Sequence, residues 1–522
     1  MALCIGLAAC GGGRGGGGGV ASTPPPPPPP PPTPQMLTQS DVTAVVQAAA
    51  GAAQSDAMVI AVVDRMGNIL AIYHEPSAPA TMPGNFGNQV PSDDLAVSLA
   101  RTGAFFSNDE APLTSRTVRY ISGVHFPPGV ANAPNAALYG IENTNRGCNL
   151  STSIDSTVPP ATTVAGTSPG YGIITGKADV MDSDSSAVNP GGVPIYKNSI
   201  LVGGIGVAVA DPNSYNLAEF IAFSGANPGG GVIGFPSFPA PGVVVIDGIT
   251  LPGVDQTTAP AGTVAGTFSA SLFAAGHSPI DSPEFDPDGD LIPPTNGPVG
   301  GLTAAQVTQI VNNAVATATA TRALIRLPPD VHAEMTIAVS DLDGTLIALH
   351  RMYDGTVFSI DVAATKARNV VYFSGTTRQQ ADLNDVPIGT AVTNRTIGFG
   401  AQPFFPPGIN DSSQGPFFNI FTQDVMTPCT QGFQVPGPSW PQTNQSGIVF
   451  FPGSEPLYIN GTLVGGLGVS GDGVDQDDYV TAGGATGFEA AASIQADQIV
   501  IDGVRLPYLH FPRNPTQLVR LK

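Results

Sequence analysis

Basic residues are scarce in this chain. Lys and Arg total 19 against 40 Asp and Glu, for a net charge of −21. Nucleic-acid binding needs a basic stripe or patch, so nucleic acid is excluded as the expected partner. Charge of either sign is sparse, at 11% of residues. No apolar run reaches about 20 residues, so no helix is expected to span a bilayer. No Cys-x-x-Cys-His occurs, which excludes covalently attached c-type haem. No G-x-S-x-G elbow stands between a strand and a helix pattern, and no nucleophile–base pair stands out. No residue constellation therefore argues for an enzyme.

Gly (64) and Pro (52) are abundant instead, and the chain runs to 522 residues. That length suits two domains of roughly 200 residues each, with many loops around modest cores. The two domains are visible as a repeat. Ile60 begins IAVVDRMGNILAIYHEP and Ile337 begins IAVSDLDGTLIALHRMYDG. Leu201 begins LVGGIGVAV and Leu463 begins LVGGLGVSG; Val245 begins VIDGITLP and Val500 begins VIDGVRLP. Three blocks recurring in one order mark a tandem duplication.

The N-terminus has its own composition. Met1 to Ala9 is short and apolar and ends in Leu7-Ala8-Ala9-Cys10. This resembles the lipobox of bacterial lipoproteins, and the resemblance implies lipidation at Cys10 and an extracytoplasmic protein, secreted or anchored at the outer membrane or cell surface. A basic n-region is missing, so the native start is expected upstream of Met1. The other reading is an unrelated apolar N-terminus. A glycine-rich stretch and the proline run Pro24–Pro32 then read as a flexible segment and a polyproline rod, together a tether. Cys148 and Cys429 follow equivalent Phe-Pro-Pro-Gly segments in the two repeats. In an oxidising compartment they are expected to form a disulfide; two free thiols are the alternative.

Each repeat starts with a helix signal, at Thr38 and at Thr303, each a reasonable N-cap. Hairpins follow: Met58–Asp64 with Ile69–His74, and Met335–Asp341 with Leu346–Met352. Gly67 and Gly344 supply the turns. Helices are expected over Asp94–Phe106 and Ser359–Phe373, then loop-rich insertions over Gly123–Gly191 and Gly398–Gly453. A last hairpin closes each sheet, with Gly203-Gly204 and Gly465-Gly466 marking close backbone approach. The order predicts an α+β fold: two similar domains, each an antiparallel sheet covered by helices. The expected divisions are 1–35 signal and tether, 36–255 first repeat, 256–298 linker, 299–512 second repeat and 513–522 tail.

The hairpin pattern, the helical segment Ser359–Arg368 with its Lys366-Ala367-Arg368 and the segment Gly453–Asp477 resemble the GlcG/HbpS-like haem-binding family, which includes the C-terminal domain of PduO-type proteins. The second repeat keeps Ser470-Gly471 and Gln476-Asp477; the first has Ala208-Val209 and no Gln-Asp. The resemblance implies haem, another tetrapyrrole or a small organic molecule as ligand, bound mainly through the second repeat. It also implies oligomers, so a homo-oligomer or an internal dimer acting in cell-surface structure or assembly is the alternative function.

His350 and Arg351 follow as candidates, the imidazole for iron and the guanidinium for a propionate. Tyr73 takes the place of His350 in the first repeat, and Gln476 and Asp477 complete the candidate ligand-binding set. The plainer reading of His350 is a hydrogen-bonded strand histidine. Asp286, Asp288 and Asp290 alternate as Ca²⁺ ligands often do, and Asp472, Asp475, Asp477 and Asp478 form a second acidic cluster; both lack a complete EF-hand loop, and solvated turns are the alternative. Asp341-Leu342-Asp343-Gly344-Thr345 matches a phosphatase motif. The first repeat has Asp64-Arg65-Met66-Gly67-Asn68 there, so the site reads as a hairpin turn.

Overall fold

Thr38 and Thr303 open the two repeats alike. Each side chain accepts from the backbone N–H three residues on, and Asp41 or Gln306 accepts in return from the threonine N–H. The computed structural model describes residues 34–84, 88–141, 190–229, 231–235, 244–283, 287–328, 331–426, 430–432 and 444–516. Cys10, Cys148, Cys429 and Asp286 lie outside the described residues. Among the described residues no helix is long and apolar enough to cross a membrane.

The first repeat comprises α1 (Gln39–Ala52), β1 (Met58–Asp64), β2 (Ile69–His74), β3 (Thr81–Gly84), β4 (Asn88–Pro91), α2 (Ser92–Phe106), α3 (Ser115–Tyr120), β5 (Gly192–Lys197), β6 (Ile200–Val209), α4 (Tyr215–Ala226), β7 (Val245–Ile246) and β8 (Ile249–Thr250). In the linker lies β9 (Gly289–Ile292). The second repeat comprises α5 (Ala304–Ala320), β10 (Met335–Ser340), β11 (Leu346–Arg351), α6 (Phe358–Ser374), α7 (Asn394–Gly400), α8 (Phe418–Met426), β12 (Ser454–Ile459), β13 (Thr462–Gly471), α9 (Val474–Gly484), β14 (Val500–Ile501) and β15 (Val504–Arg505). The fold is α+β.

The first sheet has the order β2-β1-β6-β5, and the second β12-β13-β10-β11-β9. All of their pairings are antiparallel. Hairpin registers coincide: Ile60 faces Tyr73, and Ile337 faces His350. The linker covers one edge of each sheet. Its residues Ala274 and Ile280 donate to Ile72 and Leu70, and β9 pairs with β11. Exposed edges invite pairing with other chains, so this cover has a physical role.

Each sheet is apolar on both faces. On β1, Ile60 and Val62 pack toward α1 and α4, and on β10 Ile337 and Val339 pack toward α5 and α9. The other faces, with Val59, Ala61 and Val63 and with Ala338, join α2 and α6 in one core shared by the two repeats. Phe106 and Phe358 stack across it, centroids 4.1 Å apart. Every residue of α6 is buried, as expected of a helix with protein on all sides. The paired glycines serve this packing. A Cβ on Gly204 would lie 2.0 Å from the Ala100 carbonyl oxygen, and one on Gly466 2.2 Å from that of Ala367.

The phosphatase-like turn is structural. Asp341 accepts from the backbone N–H groups of Leu342, Val299 and Gly300 at 2.8, 2.9 and 2.6 Å. Asp64 holds the equivalent turn through Met66 and Asn68. Arg101 and Arg368 brace the two turns by donating to the Gly67 and Gly344 carbonyls.

Candidate functional site at the seam between the repeats

The Ser470-Gly471 to Gln476-Asp477 segment is where the two repeats differ most in chemistry. It ends β13 and opens α9, with Gly473 between them at φ 139°, a conformation closed to side chains with a Cβ. This turn drives Asp477 into the shared core. There the Lys366 Nζ donates to Asp477 at 2.9 Å and to the Val469 carbonyl at 2.8 Å. The ammonium also sits 4.9 Å from the centre of the Phe451 ring. Burial pushes Asp477 up to about 7 and pushes Lys366 down, against their mutual attraction. Asp477 Oδ1 and Gln476 Oε1 have no hydrogen-bond partner among the described residues, although both side chains are buried. In the first repeat Leu99 and Ala218 occupy the positions of Lys366 and Asp477.

Both residues border space at the seam. Asp477 and Ser470 line a small apolar hollow with Phe106, Phe358 and Phe451. Next to it, sharing Phe451, Leu324 and Val474, opens a groove of about 680 Å³. Its walls are aromatic: Phe126, Phe399, Phe450, Phe451 and Phe511. Its polar groups are Asn135, Gln476, Asp247, Asp475, His510 and the arginines Arg322, Arg395 and Arg513. The first repeat contributes Phe126, Pro134–Ala137 and Ile246-Asp247, so neither repeat forms the groove alone. The size falls in the usual range for a small-molecule site, roughly 300–1,000 Å³.

The acidic cluster at the start of α9 is not a cation loop. Asp472 accepts from Arg326 at 2.7 Å, Asp477 from Lys366, and Asp475 and Asp478 from Arg395. Asp472 precedes the helix, Asp475 and Asp478 share one helix face and Asp477 lies off it, so three separate cations take the four carboxylates. Asp290 also departs from the Ca²⁺ expectation. The linker there is the extended strand β9, and Asp290 lies 2.7 Å from His350 Nδ1. Asp288 precedes the strand, and the carboxylate of Asp290 is taken by the His350 imidazole. Among the described residues no group of three His, Cys, Asp or Glu side chains is placed to hold a metal ion.

The structure separates the other predicted residues from the groove. His350 pairs with Ile337, which faces α5 and α9 rather than the seam. Arg351 is buried and donates to the Gly355 and Pro287 carbonyls, a structural role rather than a ligand contact. Tyr73 stacks on Phe268 and accepts from the Ser269 N–H. Gln476 and Asp477 are thus the predicted residues that reach the seam. Sequence reasoning did not single out His510 or Arg513. Both lie beyond the last repeated block, where no pattern marks them.

A second polar cluster joins the repeats. Arg326 reaches Asp354 at 2.6 Å, Asp472 at 2.7 Å and Glu110 of the first repeat. Burial and the neighbouring Asp354 push Asp109 up to about 7.

The architecture and this site define a two-repeat α+β protein with a ligand-sized groove at the seam. Residues 302–486, within the second repeat, match the family model described as haem degrading protein HbpS-like. Three solved structures are similar. Protein ORFY of Klebsiella pneumoniae is 17% identical, over 35% of this chain and 86% of its own, with a TM-score of 0.22. The PduOC:haem complex is 18% identical, over 36% and 94%, with a TM-score of 0.23. A double mutant of Streptomyces reticuli HbpS is 16% identical, over 35% and 85%, with a TM-score of 0.20. No curated protein matches this chain.

Proposed function

We propose that this chain is a binding protein whose seam groove takes haem, another tetrapyrrole or a small organic ligand of similar character. The observation that carries the reading is the groove itself: aromatic walls, arginines and one imidazole, at a volume suited to such a ligand. The donor set fits haem, since flat apolar rings suit the macrocycle, arginines suit propionates and an imidazole suits iron. Bound haem would supply an iron centre able to take axial ligands. The family description of the second repeat points the same way. The reading keeps the ligand with the second repeat, which supplies Arg322, Arg395 and the imidazole, with Arg513 from the tail and the first repeat completing the wall. We further propose that the protein works outside the cytoplasm, held through Cys10 by a lipid anchor; an unmodified Met1 in intact-mass measurement of the native protein removes that part. Titration of the full chain with hemin tests the ligand: a saturable Soret change supports the reading, and no spectral change with no saturation discards it.

A second reading rests on the continuous core between the repeats. The duplicated fold would then be an internal dimer serving cell-surface structure or assembly. A colourless protein that forms ordered oligomers and ignores hemin favours this one.

A further inference from the structure

We infer that His510 is the residue that ligates the metal of a metalloporphyrin held in the seam groove, with Arg513 beside it as a cation for the ligand's carboxylates. The inference rests on the groove being a tetrapyrrole site. Of the six histidines of the chain, His510 is the one that lines the groove. The others are directed elsewhere: His74 to Asp93, His125 to Asn410, His332 to Glu334 and His350 to Asp290, while His277 hydrogen-bonds through its backbone along β2.

The ring of His510 is already oriented. Its Nδ1 lies 3.0 Å from Asp475 Oδ2, and its backbone N–H donates to Asp478 Oδ2 at 3.0 Å. Both carboxylates are fixed in turn by Arg395. A carboxylate accepts, so in the neutral ring Nδ1 carries the proton and Nε2 keeps its lone pair. Metal-binding histidines are held in this way by a carboxylate behind the ring, which fixes the tautomer and raises the basicity of the free nitrogen. The His510 side chain is 66% exposed, so no protein packing blocks the ring from a ligand. Arg513, three residues on, is exposed and lines the same groove. Both residues lie outside the stretch that matches the family model, so the site belongs to this chain's own seam.

The test titrates the full chain and its variants with hemin and, separately, with metal-free protoporphyrin IX. His510→Ala is expected to shift the Soret maximum of bound hemin and weaken hemin binding roughly tenfold or more. Added imidazole should restore the wild-type band, which a merely structural loss would not allow. Metal-free protoporphyrin, which needs no axial ligand, should bind wild type and His510→Ala alike. His350→Ala, outside the groove, should leave the hemin band unchanged. Identical hemin spectra and affinities for wild type and His510→Ala overturn the assignment while the groove reading stands, as does loss of the band in His350→Ala. If wild type binds neither porphyrin, the groove reading falls and the assignment with it.

Discussion

Asn132 and Asn410 exchange hydrogen bonds across the seam: the Asn132 N–H donates to Asn410 Oδ1 at 3.1 Å, and the Asn410 N–H donates to Asn132 Oδ1 at 3.0 Å. Each asparagine does for the other what the other does for it, as across a twofold axis. The insertions that carry them also bring Tyr139 onto Phe421 and His125 within 2.7 Å of Asn410. Duplication thus built a pseudo-symmetric pair in one chain, and the groove opens on one side of it.

Asn410→Ala removes the acceptor shared by Asn132 and His125. The expected cost is about 1–2 kcal/mol, since each net hydrogen bond is worth around 1 kcal/mol. Urea denaturation measures it; an unchanged midpoint would show that the loops do not help hold the repeats together.

The buried pair in the second repeat gives a sharper test. Lys366→Leu leaves Asp477 without its cation, and the expected loss is about 3–5 kcal/mol at pH 8. At pH 5 the loss should be smaller, because Asp477 is then protonated. The double variant Lys366→Leu/Asp477→Ala copies Leu99 and Ala218 of the first repeat and should recover most of the stability. Denaturant curves of the singles and the double at both pH values decide this, and strict additivity would mean that the two groups are not coupled.

Glu455 sets a pH dependence. Burial pushes its carboxyl up to about 8, and the Tyr508 hydroxyl, which opposes the shift, is its hydrogen-bonding neighbour at 3.3 Å. Between about 4.5, the ordinary value, and about 8 the folded state keeps a proton that the unfolded state has released. Its contribution to stability is therefore full below about 4.5 and lost as pH rises toward 8. Glu455→Gln should flatten this part of the profile, an effect on the order of a few kcal/mol. Thermal unfolding from pH 4 to 9 tests it, and parallel profiles for wild type and variant would refute the assignment.

Two glycines should respond in opposite senses. Gly466→Ala forces a methyl against the Ala367 carbonyl and should destabilise by roughly 1–3 kcal/mol or more. Gly51→Ala, in α1 with open space around it, should stabilise by about 0.5–1 kcal/mol. Differential scanning calorimetry of both variants gives the signs directly.

Much of the fold was legible because it is local. Period-two apolar runs, turn glycines and threonine caps act within a few residues, and the repeat doubled each signal. Five of the described helices were not legible: α3, α7 and α8 lie in or beside the stretches read as loops, and α4 and α9 follow the closing hairpins. α4 follows its strand without a side-chain cap hydrogen bond, and α9 starts with an acidic run that reads as a loop. α9 is helical because Val480 packs with Ile310, Ala314 and Leu467 in the outer core, a contact no window of sequence contains.

The sequence by itself determined the duplication, the hairpins and the loss of Ser-Gly and Gln-Asp in the first copy. Tertiary structure alone decided what those residues do. Lys366 and Asp477 lie 111 positions apart, and Phe126 and His510 meet at the groove from opposite ends of the chain. Strand alternation aimed His350 and Tyr73 away from the seam, although their residue types had made them candidates. Side-chain chemistry is written in the sequence, but which groups share a space depends on how two sheets pack through α2 and α6.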